Sequence, residues 1–313
     1  MARFLLAGVP RSGTSWTGEA LAHAAGVTYV DEPDGFRDAF SFRTMMRHGE
    51  NPVLDPGESV PDYERLWSGA FAGGRPDPRV RARIAQRAYR SVDTSVRQRA
   101  RAGEGVAAAL RIAQRLAEPP MSDPGASHVL VKSVQCALSI EWIQQRFDPH
   151  IVLLLRHPLN VLSSWRDLGF VRNPRETASM SQTAWLRWGI VAPDSAAPQL
   201  AQQAFMFGVL TESLLSAAER HPEWVIENHE ALCDDAPARM RNLAANLGLT
   251  WTPQAEEFIR DSDSVGEGFV TRRVARDQAD RWRTRLTNEE VDVIRGVLKR
   301  FPRCALTKDT ETP

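Results

Sequence analysis

Gly8 and Gly13, with four residues between them, separate an apolar run from a helix start and constrain the fold more than any other feature of the chain. The stretch reads Leu5-Leu6-Ala7-Gly8-Val9-Pro10-Arg11-Ser12-Gly13-Thr14-Ser15-Trp16. Its apolar part suits a buried strand that ends at Gly8, and the composition of Thr14 to Ala25 predicts a helix stopped by Gly26. Backbone N–H groups at such a helix start have no intrahelical partner, and the positive end of the helix dipole points the same way, so an anion sits there readily. In the nucleotide-triphosphatase form of this loop the second glycine is followed by lysine, which reaches the β and γ phosphates, and then by a hydroxyl residue that holds magnesium. Here Thr14 stands at the lysine position and the cation is Arg11, inside the loop. Such a loop can hold one phosphate and a neighbouring anionic group, but it lacks the usual grip on a triphosphate–magnesium unit.

Further strands are predicted at Val27 to Val30, His128 to Lys132, Ile151 to Leu155 and Trp224 to Ile226. Helical spacing fills Leu138 to Phe147, Pro198 to Arg220, Pro237 to Leu247, Pro253 to Asp261 and Thr287 to Arg300, the last opening with a capping-box pattern. Strands alternating with helices imply right-handed crossovers and a parallel sheet. The fold class expected is therefore α/β: a P-loop-like parallel β-sheet flanked by helices, with a helical insertion at about 35–125 and a C-terminal helical segment at about 235–313, all one domain over 1–313.

The insertion is arginine-rich. Between Arg79 and Arg115 only Asp93 and Glu104 oppose the arginines, and Arg79, Arg83, Arg87 and Arg90 fall on one helix face opposite Ile84, Ala88, Val92 and Val96. This stripe reads as a solvated face, or as a contact surface for an anionic acceptor or lipid. Over the whole chain 39 Lys and Arg balance 39 Asp and Glu, so bulk charge argues for neither nucleic acid nor an anionic membrane. No apolar stretch approaches the ~20 residues that span a bilayer, and the N-terminus lacks a cleavage site, so a cytoplasmic protein is expected. Cys136, Cys233 and Cys304 are odd in number and far apart, which suits reduced thiols, and no histidine pair has metal-ligand spacing, so no metal is expected.

Two further clusters carry chemistry. Ligands of parallel sheets collect at the carboxyl ends of strands, which places Arg156, at the end of the fourth strand, on the same edge as the glycine loop. Pro158 can open the following helix, on which Ser164 lies two turns away; an arginine and a hydroxyl there can hold a second phosphate. The second strand runs into Asp31-Glu32-Pro33-Asp34, and proline leaves that acidic pair at a strand end or loop.

Pro10-Arg11-Ser12-Gly13-Thr14-Ser15-Trp16 resembles the 5′-phosphosulfate loop of the sulfotransferases that use 3′-phosphoadenosine 5′-phosphosulfate (PAPS); the arginine form is similar to their bacterial, Golgi and tyrosylprotein branches. Arg156 with Ser164 eight residues later resembles the family's 3′-phosphate motif. The resemblance covers about 3–34, 128–168 and 223–290. It implies a donor with phosphates at both ends of adenosine, which ATP lacks, held at two pockets facing each other across one adenosine. Arg11, Ser12, Gly13, Thr14, Ser15 and Trp16 would hold the 5′ side, with Trp16 as the adenine wall, and Arg156 and Ser164 the 3′ side.

Near the C-terminus the family has a basic glycine-containing loop over the 3′-phosphate, then a Trp-x-x-x-Leu/Phe-Thr segment. Trp282 to Thr287 matches the second element; Arg272 and Arg273, with Arg276 as an alternative, match the first loosely, since no glycine follows them. For catalysis the resemblance implies Arg11 and then Lys132 as the cations at the leaving oxygen. The cytosolic relatives' Lys-Thr-His base motif departs here to Lys132-Ser133-Val134, and valine takes no proton. Glu32 is therefore the expected base, with Asp31, Asp34 and His48 as alternatives, and partial burial would have to raise its pKa from ~4.3 for it to work well.

The activity implied is sulfuryl transfer from PAPS to a hydroxyl or amine of a small-molecule, carbohydrate or lipid acceptor, releasing 3′-phosphoadenosine 5′-phosphate (PAP). A P-loop small-molecule kinase and a non-catalytic polyanion binder are the rivals. Acceptor identity and oligomeric state stay open.

Overall fold

A computed structural model describes residues 1–35, 39–73, 126–170, 173–262 and 280–304. The arginine stripe from Arg79 to Arg90 and the basic cluster of Arg272, Arg273 and Arg276 lie outside the described residues.

Five strands form one sheet: β1 (Ala2–Ala7), β2 (Val27–Asp31), β3 (His128–Ser133), β4 (His150–Leu155) and β5 (Val225–Asn228). The order is β2-β3-β1-β4-β5, and every neighbouring pair is parallel. This is the α/β parallel architecture expected. β1 takes the central place because it is apolar on both faces: Phe4, Leu5, Leu6 and Ala7 are all buried.

Alternation along the strands divides the core into two layers. Leu5, Ala7, Val129, Val131, Ile151 and Leu153 face one side and pack with Trp67, Trp142, Trp165 and Phe205. Those aromatics come from α3 (Pro61–Phe71), α4 (Ile140–Phe147), α5 (Pro158–Asp167) and α7 (Gln199–Arg220). Phe4, Leu6, Leu130, Val152 and Leu154 face the other side, against Leu21, Met240, Leu243 and Ile259. These belong to α1 (Thr14–Ala22), α9 (Ala236–Asn246) and α10 (Pro253–Ser262). The remaining helices are α2 (Ala39–His48), α6 (Pro174–Trp188), α8 (His229–Asp234) and α11 (Asn288–Leu298), with a 3-10 turn at Arg281–Thr284. Thus α2 and α3 are the described part of the helical insertion.

Two departures from the sequence reading have local causes. Helix α1 stops at Ala22, not Ala25, because tertiary partners take the backbone groups that would continue it. Thr252 Oγ1 donates to the carbonyl of His23 at 2.6 Å, and Ala25 N–H donates to the carbonyl of Thr250 at 2.9 Å. Helix α6 was not anticipated, although its start is well marked: Asn173 accepts from Glu176 N–H at 2.9 Å, and Pro174 opens the first turn. The capping box of α11 is present as expected, with Thr287 Oγ1 and the Glu290 carboxylate each accepting from the other's N–H.

Candidate nucleotide site

All five strands run the same way, so their carboxyl ends share one rim, and the candidate residues gather there. The loop between β1 and α1 is tightly built. A Cβ on Gly8 would lie 2.5 Å from Ser12 Oγ and 2.8 Å from the Leu154 carbonyl. Gly13 has φ +95°, a left-handed conformation, and a Cβ there would meet His229 Nδ1 at 2.4 Å. Both glycines are therefore required by close approach. Ser12 N–H donates to the Val9 carbonyl at 3.1 Å, and Trp165 Nε1 donates to the Pro10 carbonyl at 2.9 Å, which fixes the loop to α5. No side chain caps α1, and its first turn holds no acidic residue. Ser12 Oγ is buried without a hydrogen-bond partner in the protein. An orphaned hydroxyl beside an uncapped helix start fits a phosphate group.

Arg11, itself at φ +73°, turns its guanidinium toward α5, where Nε donates to Ser164 Oγ at 3.1 Å. Arg156 donates to the backbone carbonyl of Arg11 at 2.9 Å. The sequence reading assigns Arg11 to one pocket and Arg156 with Ser164 to another; hydrogen bonds through Arg11 link these residues. Glu230, on α8, accepts from His157 N–H at 3.1 Å and from Asn160 Nδ2 at 3.0 Å, and its carboxylate lies 3.8 Å from Arg156 Nε. Burial lowers the Arg156 pKa, and the charge of Glu230 works against that.

Glu32 and Lys132 meet at the end of β2 and β3. Lys132 Nζ lies 2.5 Å from Glu32 Oε1 and 3.1 Å from Asp31 Oδ1, its cross-strand neighbour. Lys132 is buried while both carboxylates are partly exposed. Burial works to lower the lysine pKa, but the charges and hydrogen bonds of Glu32 and Asp31 outweigh it and hold the ammonium above its ordinary range. Asp34, two residues on, is buried and accepts from Ser133 Oγ at 2.7 Å. Burial pushes its carboxyl up to about 7, with Ser133 opposing and Glu32 adding to the rise.

Trp16 is half-buried, stands edge-on to His229 with ring centroids 5.9 Å apart, and donates from Nε1 to Ser262 Oγ at 2.8 Å. His229 is buried, and burial with the charge of Arg156 holds its pKa well below the usual range, so the ring is neutral. His157 has a structural task. Its Nδ1 accepts from Leu159 N–H at the start of α5, and its ring stacks on Trp282. Thr14 and Ser15 open α1. His48, one of the alternative bases, sits at the end of α2, and burial lowers its pKa.

Sequence reasoning missed His229, Glu230 and Ser262. The first two follow β5 directly, and the rule that ligands gather where parallel strands end could have marked them. Ser262 carries no local signal, since only the packing of α10 on α1 brings it to Trp16.

No protein-family model matches the chain. A search of curated proteins likewise finds no match. Solved structures do resemble it. The sulfotransferase domain from the Synechococcus PCC 7002 olefin synthase is 17% identical, with 94% of this chain and 92% of that one covered and a TM-score of 0.46. The sulfotransferase domain from the curacin biosynthetic pathway is 12% identical, with 95% and 97% covered and a TM-score of 0.47. Mouse sulfotransferase SULT7A1, complexed with PAP, is 12% identical, with 99% and 86% covered and a TM-score of 0.43.

Proposed function

We propose that this chain is a sulfotransferase that moves the sulfuryl group of PAPS to a hydroxyl or amine of a small-molecule, carbohydrate or lipid acceptor and releases PAP. One observation carries the reading. Arg11, Ser164 and Arg156, spread over more than 140 residues of sequence, meet at the uncapped start of α1 beside the orphaned Ser12 hydroxyl.

In this reading the loop N–H groups, Ser12, Thr14 and Ser15 take the 5′-phosphosulfate, and Arg156 with Ser164 takes the 3′-phosphate. Because Arg11 is bonded to Ser164, engagement of both phosphates turns Arg11 away from that hydroxyl and toward the bridging oxygen. The acceptor oxygen bonds to sulfur as the bond from sulfur to the bridging oxygen breaks, and the acceptor proton passes to Glu32. Arg11 offsets the charge growing on the leaving phosphate. Lys132 holds Glu32 in place and adds a fixed positive charge on that side. Trp16, kept upright by Ser262, forms one wall of the adenine pocket. The chain acts as one domain over 1–313 and, in the cytoplasm, uses free PAPS; its three cysteines, all buried thiols, fit a reducing compartment.

A thermal-shift titration tests the donor. A ligand at ~100 times its dissociation constant stabilises a fold by roughly 2.7 kcal/mol. PAP is expected to raise the melting temperature clearly, and ATP with magnesium is not. A protein indifferent to millimolar PAP would remove the assignment.

A further inference from the structure

We propose that Asp34 is a positioning residue for the Glu32–Lys132 pair, tying the turn after β2 to the end of β3 through the bond it accepts from Ser133 Oγ. The inference rests on the role given to Glu32 above. Glu32 has φ +42°, a left-handed conformation unusual for a glutamate, so something must hold it. Its N–H donates to the Lys132 carbonyl at 2.8 Å, and its own carbonyl accepts from Gly35 N–H at 3.1 Å, which closes the turn. Two consecutive residues of β3 then grip the same turn: Lys132 takes the Glu32 side chain at 2.5 Å, and Ser133 takes that of Asp34 at 2.7 Å. Ser133 is wholly buried, and its Oγ is fixed further by accepting from Gln135 N–H at 3.1 Å.

The surroundings of Asp34 suit an uncharged acid. Its Oδ1 is buried with no hydrogen-bond partner in the protein. The titratable and charged groups around it are Glu32 after β2, Lys132 on β3, Cys136 after β3, and Tyr63 on α3. Burial raises the Cys136 thiol and the Tyr63 phenol, so both stay neutral, and the ammonium of Lys132 is already shared by Glu32 and Asp31. Loss of the Asp34 proton therefore puts a second negative charge in the turn that carries Glu32, with no cation of its own among the described residues. The pair is held best while Asp34 is protonated.

The test compares wild type, Asp34→Asn and Asp34→Ala. An amide keeps an oxygen for Ser133 but cannot ionise; alanine loses the bond. Turnover is measured from pH 6 to 8.5, PAP affinity is measured by calorimetry in parallel, and crystal structures of both variants are determined at pH 6.5. With an acid near 7, wild-type turnover should fall about tenfold relative to Asp34→Asn between pH 6.5 and 8. Asp34→Ala should be slower at every pH, with Glu32 detached from Lys132 in its structure and attached in that of Asp34→Asn. A wild-type rate that instead climbs through pH 7 and flattens in Asp34→Asn would make Asp34 the proton acceptor and overturn the positioning role. So would an Asp34→Ala structure with the pair intact. Absence of PAP binding in the wild type defeats the donor assignment alone, because the two structures still decide whether Asp34 holds the pair.

Discussion

Arg11 Nε donates to Ser164 Oγ at 3.1 Å, although the two residues are 153 positions apart. The bond joins the loop after β1 to the helix after β4, and Arg156 strengthens the junction by holding the Arg11 carbonyl. An anionic phosphate adds charge attraction that the neutral Ser164 hydroxyl lacks, so an arriving ligand can draw the guanidinium from that bond.

Removing the proposed base should separate binding from chemistry. Glu32→Gln keeps an oxygen for Lys132 but accepts no proton, so turnover should fall at least ~100-fold, as for loss of a general base. PAP affinity, measured by calorimetry, should stay within about twofold, since Glu32 lies off the loop. Near-normal turnover would take Glu32 out of the mechanism.

Gly13→Ala should damage the loop twice over. The left-handed backbone costs a residue with a Cβ on the order of 1–2 kcal/mol, and the methyl group also collides with the His229 ring. Urea unfolding should show a lower midpoint and PAP should bind poorly. Adding His229→Ala removes the collision and leaves the backbone strain, so recovery should be partial.

In the proposed reading, Glu230 would act on the 3′-phosphate through Arg156 and the start of α5. Glu230→Gln weakens the bonds from His157 N–H and Asn160 and removes the charge beside Arg156. Hydrogen bonds to charged groups contribute about 1.5–3 kcal/mol. Partial loss of that set should lower PAP affinity about tenfold, while adenosine 5′-phosphosulfate, which lacks the 3′-phosphate, should lose less. Equal losses for both ligands would refute a role specific to the 3′ end.

Asp34 predicts an unusual stability profile. Its folded pKa of about 7 lies above the ordinary 3.8, so between those values the native state binds more protons than the unfolded chain. Its contribution then becomes steadily less favourable as pH rises from about 4 to 7 and levels off above that. Asp34→Asn lacks this dependence. The variant's melting temperature should therefore gain on wild type across this window, and a constant difference between the two would show that Asp34 ionises normally.

The fold was largely legible because apolar runs such as Leu5 to Ala7 and Ile151 to Leu155 fit buried parallel strands, and the glycine pair fixed the first crossover. Pairwise positions around the site were less so. Arg156 and Ser164 were identifiable from strand-end position and helix spacing, yet no residue pattern marks Arg11 as reaching Ser164, since the two lie 153 positions apart. The partnership of Glu32 with Lys132 was equally hidden, because the register of β2 on β3, which sets Asp31 opposite Lys132, joins segments about a hundred residues apart. The burial of Asp34 was beyond pattern reading as well, for an acidic residue after a proline looks like an exposed turn.

Each of the five strands delivers at least one rim residue: Arg11 follows β1, Glu32 and Asp34 follow β2, Lys132 and Ser133 end β3, Arg156 follows β4, and His229 and Glu230 follow β5. The two apolar layers lie below that rim and share none of these side chains. A side chain exchanged on any one of these five segments therefore leaves both apolar layers unchanged.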